Sequence, residues 1–320
     1  MIWAGLIAQW QHVEMIRPGP LPPPLNSGPF HVAQASQVGV RRGRLRSADL
    51  DAPFYGIRTH GSPQGARDLA LAFAVAMAPD EYFGHLSAAH LLGLRMPDGY
   101  SQGPLDVTSI APMSARRRAG ILGHRTEVAV TTVVVGGLRL SSPIATWCDL
   151  AATLSFVELV AMGDGLVCRK APVATLAQLR AAVEQMAGRR GAKRLSRVML
   201  AIRANSDSYK ETELRLALAD AGFPEPEVNG VIRNEYGAVI AHGDLVFRPY
   251  RVIVEYDGGQ HRGDERQYNI DIARIDELVE LEWRVIRVNK ELLYRRTALS
   301  GKVGRALRAG GWSPVERAAR

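Results

Sequence analysis

The strongest constraint on this chain is a stretch near its C-terminus, from His242-Gly-Asp244 through Arg251-Val-Ile-Val-Glu255-Tyr-Asp257-Gly-Gly-Gln-His261. Leu245 to Phe247 and Val252 to Tyr256 are apolar or β-branched, and Arg248-Pro-Tyr-Arg251 supplies a turn between them. A hairpin centred between Pro249 and Tyr250 pairs 247 with 252, 246 with 253, 245 with 254 and 244 with 255. Directly opposed residues share a face, which puts Asp244 beside Glu255, and the strand period of two adds Asp257. Three converging carboxylates repel one another unless a cation lies between them. Oxygen donors of this kind suit a hard divalent ion, Mg²⁺ or Mn²⁺. The pattern predicts a metal site held by Asp244, Glu255 and Asp257.

A length of 320 residues allows two or three domains. The net charge of +8 favours an anionic partner, with nucleic acid the first candidate. That charge is uneven. Residues 1–205 hold 22 Lys/Arg against 13 Asp/Glu, whereas 206–300 hold 13 against 18. The basic excess therefore lies mainly outside the carboxylate-bearing region, as expected if one part docks on DNA and another binds metal. Cys148 and Cys168 are too few for a disulfide framework or a zinc site, which predicts reduced thiols in a cytoplasmic protein. The apolar run Leu69–Pro79 is too short to span a bilayer, so no membrane partner is expected.

Along the chain, residues 1–28 end in a proline-rich segment and read as an extended or disordered leader, with Met15 an alternative start. Residues 29–60 read as a helix-turn-helix-like module: a short helix, a turn at Gly39, then a basic second helix. Ala35, Val38, Val40 and Leu45 would face inward, leaving Arg41, Arg42, Arg44 and Arg46 to meet phosphates or bases. Residues 61–205 read as a mainly helical middle domain with a few strands, at 105–110 and 128–135. Ser142 and Pro143 mark a helix start there. His85 and His90 are five apart, poor spacing for a shared metal on one helical face.

Asn205-Ser-Asp-Ser-Tyr-Lys210 reads as a domain boundary, and Ser208 can cap a helix ended by Gly222. Glu211 shares a stripe with Leu214 and Leu218, whereas Glu213 falls on another face. Residues 206–310 are predicted to run α–β–β–β–α–β–α, followed by a tail at 311–320. The fold class is therefore α/β and α+β multidomain.

The order of helix with Glu211, strand with Asp244 and strand with Glu255-x-Asp257 resembles the PD-(D/E)XK nuclease core. Glu255-Tyr-Asp-Gly-Gly-Gln-His261, Asp271-Ile-Ala-Arg274-Ile-Asp276 and Trp283-Arg-Val-Ile-Arg-Val288 look like an uncharacterised bacterial domain family akin to the very-short-patch-repair endonucleases. Glu211-Thr-Glu-Leu-Arg-Leu-Ala-Leu, with Ala221-Gly-Phe-Pro-Glu-Pro-Glu-Val-Asn229, is similar to the lead-in of actinobacterial members and favours Glu211 over Glu213. Upstream, Gln37-Val-Gly-Val-Arg-Arg-Gly-Arg-Leu-Arg46, His85-Leu-Ser-Ala-Ala-His90 and Leu140-Ser-Ser-Pro-Ile-Ala-Thr-Trp-Cys-Asp149 look like an AbiEi-type antitoxin or regulator module.

The resemblance implies a winged-helix-like N-terminal module and a restriction-endonuclease-like α/β sandwich with a mixed sheet at the C-terminus. It implies a Mg²⁺- or Mn²⁺-dependent DNA endonuclease in defence or DNA repair, with a cognate toxin or antitoxin as a further partner. Asp244, Glu255 and Asp257 would hold the ion, Glu211 would complete the shell, and Asp271 and Arg274 would stand behind it. Two positions depart from the superfamily: Gly243 replaces a proline, and Asp257 stands where a lysine is usual. His261 would then act as general base or water-orienting group. The alternative is a non-catalytic DNA-binding regulator or toxin–antitoxin component with a remnant nuclease fold; an RNA-directed nuclease is a third.

Overall fold

The structure, a computed structural model, describes residues 18–97, 103–258 and 276–314. It is a mixed α/β protein with three sheets, and the chain divides into two compact units. Among the described residues, the first comprises 18–83, 103–129 and 134–140; the second comprises 84–97, 130–133, 141–258 and 276–314.

The first unit begins with a small three-stranded sheet, order β1-β3-β2, from β1 (Phe30–His31), β2 (Leu50–Asp51) and β3 (Ile57–His60). Helix α1 (Val32–Gln37) packs Ala35 against Leu21, Leu25, Phe30 and Leu45. Leu21 and Leu25 belong to the stretch read as a leader, yet both are buried in this core. The predicted second helix is not formed. Arg44–Arg46 makes a single 3-10 turn, because Gly39 (φ +78°) and Gly43 leave too few residues for a helical nucleus. Val38, expected inside, is 48% exposed.

Helix α2 (Ala66–Ala74) follows, and then a six-stranded mixed sheet of order β6-β7-β5-β4-β9-β8. Its strands are β4 (Glu81–Phe83), β5 (Leu105–Ile110), β6 (Arg117–Arg118), β7 (Ile121–Thr126), β8 (Thr132–Val135) and β9 (Leu138–Ser141). The sequence pattern picked out only two of these strands. Glu81 is buried in β4, where Arg116 grips both carboxylate oxygens at 2.5 and 2.7 Å.

The second unit contains a helical region and the third sheet. Its helices are α3 (His85–Leu91), α4 (Pro143–Asp149), α5 (Phe156–Leu166), α6 (Leu176–Gln185), α7 (Ala192–Ala201) and α8 (Tyr209–Asp220). Ser142 caps α4 with Pro143 at its first position, and capping boxes start α5 and α6. Trp147 is fully buried among Leu150, Leu159, Leu166, Leu179 and Leu195, and its indole donates to the Leu159 carbonyl at 3.0 Å.

The third sheet has order β10-β11-β12-β13, from β10 (Glu227–Arg233), β11 (Val239–Phe247), β12 (Val252–Tyr256) and β13 (Arg284–Val288). The first two junctions are antiparallel and β12–β13 is parallel. A helix over 276–280 (α9) precedes β13, and α10 (Lys290–Tyr294) and α11 (Arg296–Ala309) follow it. Leu245, Phe247, Val252 and Val254 meet Leu214 and Leu218 of α8 and Leu299, Val303 and Leu307 of α11. On the opposite face Ile232, Ala241, Val246 and Ile253 meet Leu278 of α9. The sheet is thus covered on both faces, in the predicted element order, with the last helix broken in two. No described helix is long and apolar enough to cross a membrane.

Candidate active site

The β11–β12 hairpin has the predicted register for three pairs, Phe247–Val252, Val246–Ile253 and Leu245–Val254, and the ladder stops there. Beyond that point β11 stays with β10 through Gly243–Gly230, while β12 stays with β13 through Glu255–Arg287 and Tyr256–Val288. The two central strands therefore part at Asp244. The fourth predicted pair, 244 with 255, is replaced by a side-chain bond. Asp244 Oδ2 accepts from the Tyr256 backbone N–H at 2.7 Å, taking the amide next to Glu255. Glu255, two residues beyond Ile253, lies on the α9 side of β12.

Asp257 is one residue past the end of β12, where the strand period no longer fixes its direction. Its amide donates to the Val288 carbonyl at 2.9 Å, and it borders a pocket of about 330 Å³ shared with Arg287, Arg295 and Lys302. Among the described residues, no group of three or more His, Cys, Asp or Glu side chains is placed to hold one metal ion. The donor chemistry of Asp244 and Glu255 nevertheless fits Mg²⁺, which takes one or two carboxylates and fills its octahedron with water and substrate oxygens.

Glu211 reaches the same end of the sheet. Ser208 caps α8, and the carboxylate of Glu211, 8% exposed, accepts from the Asp207 amide at 2.8 Å and from Asn229 Nδ2 at 2.9 Å. Asn229 is the β10 residue at the gap in the ladder across from Asp244, between the pairs Val228–Leu245 and Gly230–Gly243. Its left-handed backbone, φ +51°, is one that asparagine tolerates better than most residues. Part of Glu211 thus serves the helix start, and part ties that helix to the strand facing Asp244. Glu213 points elsewhere, to Lys210 at 2.8 Å and Arg296 at 3.9 Å. Burial works against the Lys210 charge, but its bonds to Glu213 and Tyr294 outweigh it and hold its pKa above the ordinary lysine value.

Of the four arginines predicted to meet DNA, Arg41, Arg42 and Arg46 are exposed. Arg44 instead forms a two-pronged bond to Asp49 at 2.8 and 2.7 Å and donates to the Gly19 carbonyl, so its guanidinium serves the fold. His261, Asp271 and Arg274 lie outside the described residues. Sequence reasoning missed Asn229, Arg287, Arg295 and Lys302. The only signal for Arg287 was its place in Trp283-Arg-Val-Ile-Arg-Val288, and nothing in one sequence gives the parallel register that sets it beside Glu255.

Comparison with protein-family models, with curated proteins and with solved structures finds no match for this chain.

Proposed function

We propose that this chain is a metal-dependent endonuclease that hydrolyses DNA phosphodiester bonds. The second unit would carry the reaction, and Arg41, Arg42 and Arg46 of the first would hold the duplex. The observation that carries this reading is the Asp244 carboxylate at the parting of β11 and β12, anchored on the amide beside Glu255. Asp244 and Glu255 are the two oxygen donors for Mg²⁺ or Mn²⁺. The Tyr256 amide fixes one oxygen of Asp244, which limits the rotamers available to that donor. Glu211 positions the same corner through Asn229. When bound, the ion would polarise the phosphate and lower the pKa of an attacking water. Asp257, His261, Asp271 and Arg274 keep the roles that the likeness to very-short-patch-repair endonucleases implies, in defence or DNA repair. The AbiEi-like features of the first half would add a winged-helix-like docking module and a toxin or antitoxin partner.

Incubating supercoiled plasmid with Mg²⁺ and the wild type, Asp244→Ala or Glu255→Ala tests this. Nicking by the wild type alone is expected; equal activity in all three proteins rejects the assignment.

A second reading, a DNA-binding regulator with a remnant fold, is favoured by one observation: the described residues bring no three metal-ligating side chains together. Calorimetric titration with Mn²⁺ separates the two. A saturable site lost in Asp244→Ala supports the enzyme, and no saturable heat supports the remnant.

A further inference from the structure

The pocket beside Asp257 has a composition that the proposed chemistry leaves unexplained. Arg287 leaves the edge strand β13, Arg295 lies between α10 and α11, and Lys302 lies on the second turn of α11; all three line it. All three are exposed, and Arg287 and Lys302 have no hydrogen-bond or ion-pair partner among the described residues. Arg295 has only Glu291 at 3.4 Å, an exposed pair of the kind that contributes little. The lining keeps a positive balance, three cations against Asp257 and Glu291. The segment that builds this wall is basic too: residues 290–309 carry six Lys/Arg and one Glu. Unpaired cations that converge on a pocket, rather than scatter over a surface, mark a place for an anion with several acceptor oxygens.

We infer that this pocket seats a phosphate of duplex DNA, so that the second unit grips the backbone itself, independently of Arg41, Arg42 and Arg46. Arg287 pairs in the β12–β13 ladder with Glu255, and Asp257 lines the pocket, so the pocket borders the strand end that carries the proposed Glu255 ligand. The choice of DNA as the anion rests on the nuclease reading; the cationic lining does not. Asp257 brings no positive charge to this end of the sheet, and Arg287 supplies it from the neighbouring strand.

The test is fluorescence anisotropy of a labelled 20-base-pair duplex in EDTA, over a series of salt concentrations. Wild type is compared with Arg287→Gln/Arg295→Gln/Lys302→Gln and with Arg41→Gln/Arg42→Gln/Arg46→Gln. The pocket variant is expected to bind about tenfold or more weakly and to lose about one unit of salt slope per contact removed. Arg287→Lys/Arg295→Lys, which keeps the charge, should retain most of both. Near-UV circular dichroism checks that the fold survives; if the triple variant is misfolded, Arg287→Gln and Lys302→Gln are measured singly. Unchanged affinity and slope in the pocket variant, or in both single variants, overturns the inference. Because EDTA suppresses cleavage, the two readings fail separately. An inactive wild type that loses affinity in the pocket variant sinks only the nuclease reading. An active one whose pocket variant binds unchanged sinks only this inference.

Discussion

Arg215 of α8 donates to Asp164 of α5 at 3.0 Å, with side chains 2% and 0% exposed. Asp164 also accepts from Thr212 Oγ1 at 2.8 Å and from the Arg203 amide at 2.6 Å, while Arg215 reaches the Ala201 carbonyl at 2.9 Å. Burial raises the Asp164 pKa, against the pull of Arg215, the Arg203 amide and Thr212. Removing one partner strands a buried charge, so Arg215→Ala should cost about 3–5 kcal/mol. Asp164→Leu/Arg215→Met, which removes both, should recover most of that loss. Guanidinium denaturation reads both effects, and a double variant no better than Arg215→Ala would show that the pair itself is strongly favourable. The expected boundary at 205 falls between these partners, so a fragment beginning at 206 should be unstable on its own.

Glu81 gives the first unit an acid limit. Burial works to raise its pKa, but Arg116, the Ala78 amide and Ser109 together hold it below the ordinary glutamate value. A depressed folded pKa means that the unfolded chain binds the proton more tightly. The stabilisation is therefore complete above the unfolded value of about 4.3 and is lost as pH falls through the folded one. Glu81→Gln should be less stable than wild type at pH 7, and the two should converge toward pH 3. Asp207 and Glu227 are also depressed, so the difference between the two proteins is the readout. A gap that stays constant with pH would remove Glu81 from the account.

The legible parts of the fold were those written locally. The β11–β12 register followed from β-branched runs around Arg248-Pro-Tyr-Arg251, although Arg251 closes the turn in a left-handed conformation, φ +50°, that its side chain does not advertise. The starts of α4 and α8 followed from Ser142 and Ser208. Missed strands of the six-stranded sheet carry polar residues whose partners are remote in sequence: Glu81 of β4 meets Arg116, and His124 of β7 meets Asp106 at 2.8 Å. Such pairs break the alternation that identifies strands. At the site, the types and order of the acids were readable. The parting of the strands was not, because it depends on one carboxylate turning to Tyr256.

Gly243 of β11 stands where the fold leaves no room for a side chain. A Cβ there would lie 2.6 Å from Ile253 Cγ2 and 2.9 Å from Val246 Cγ2. Both neighbours belong to the core on the α9 face. Gly243→Ala should therefore cost about 1–3 kcal/mol through overpacking, and Gly243→Pro more, since its ring also removes a backbone donor. Ile253→Val should relieve part of the alanine penalty. Urea unfolding of the two single variants and the double variant measures that coupling, and strict additivity would rule out the contact as the cause.

Asp244 has a structural duty as well as a proposed chemical one. Alanine removes the acceptor that meets the Tyr256 amide, a loss of about 1–3 kcal/mol. Asparagine keeps an oxygen there but no charge. Both substitutions should abolish plasmid nicking, whereas only Asp244→Ala should lower the denaturation midpoint appreciably. Retained nicking in Asp244→Asn would mean that the residue works through geometry alone.

Glu211 and Glu213 offer the sharpest contrast, because both are 8% exposed and lie on the same helix. Glu211 faces Asn229 and the parting strands, while Glu213 faces Lys210 and Arg296. Glu211→Gln keeps an acceptor for the Asp207 amide and for Asn229, so its stability should change by less than about 1 kcal/mol while nicking falls at least tenfold. Glu213→Gln breaks a half-buried ion pair and should cost about 1–2 kcal/mol with nicking intact. The two variants should thus cross: one loses activity and keeps its melting temperature, the other the reverse. Plasmid nicking and thermal melts on the same preparations decide it. If activity follows Glu213 instead, the corner built by Glu211, Asn229 and Asp244 is not where the chemistry occurs.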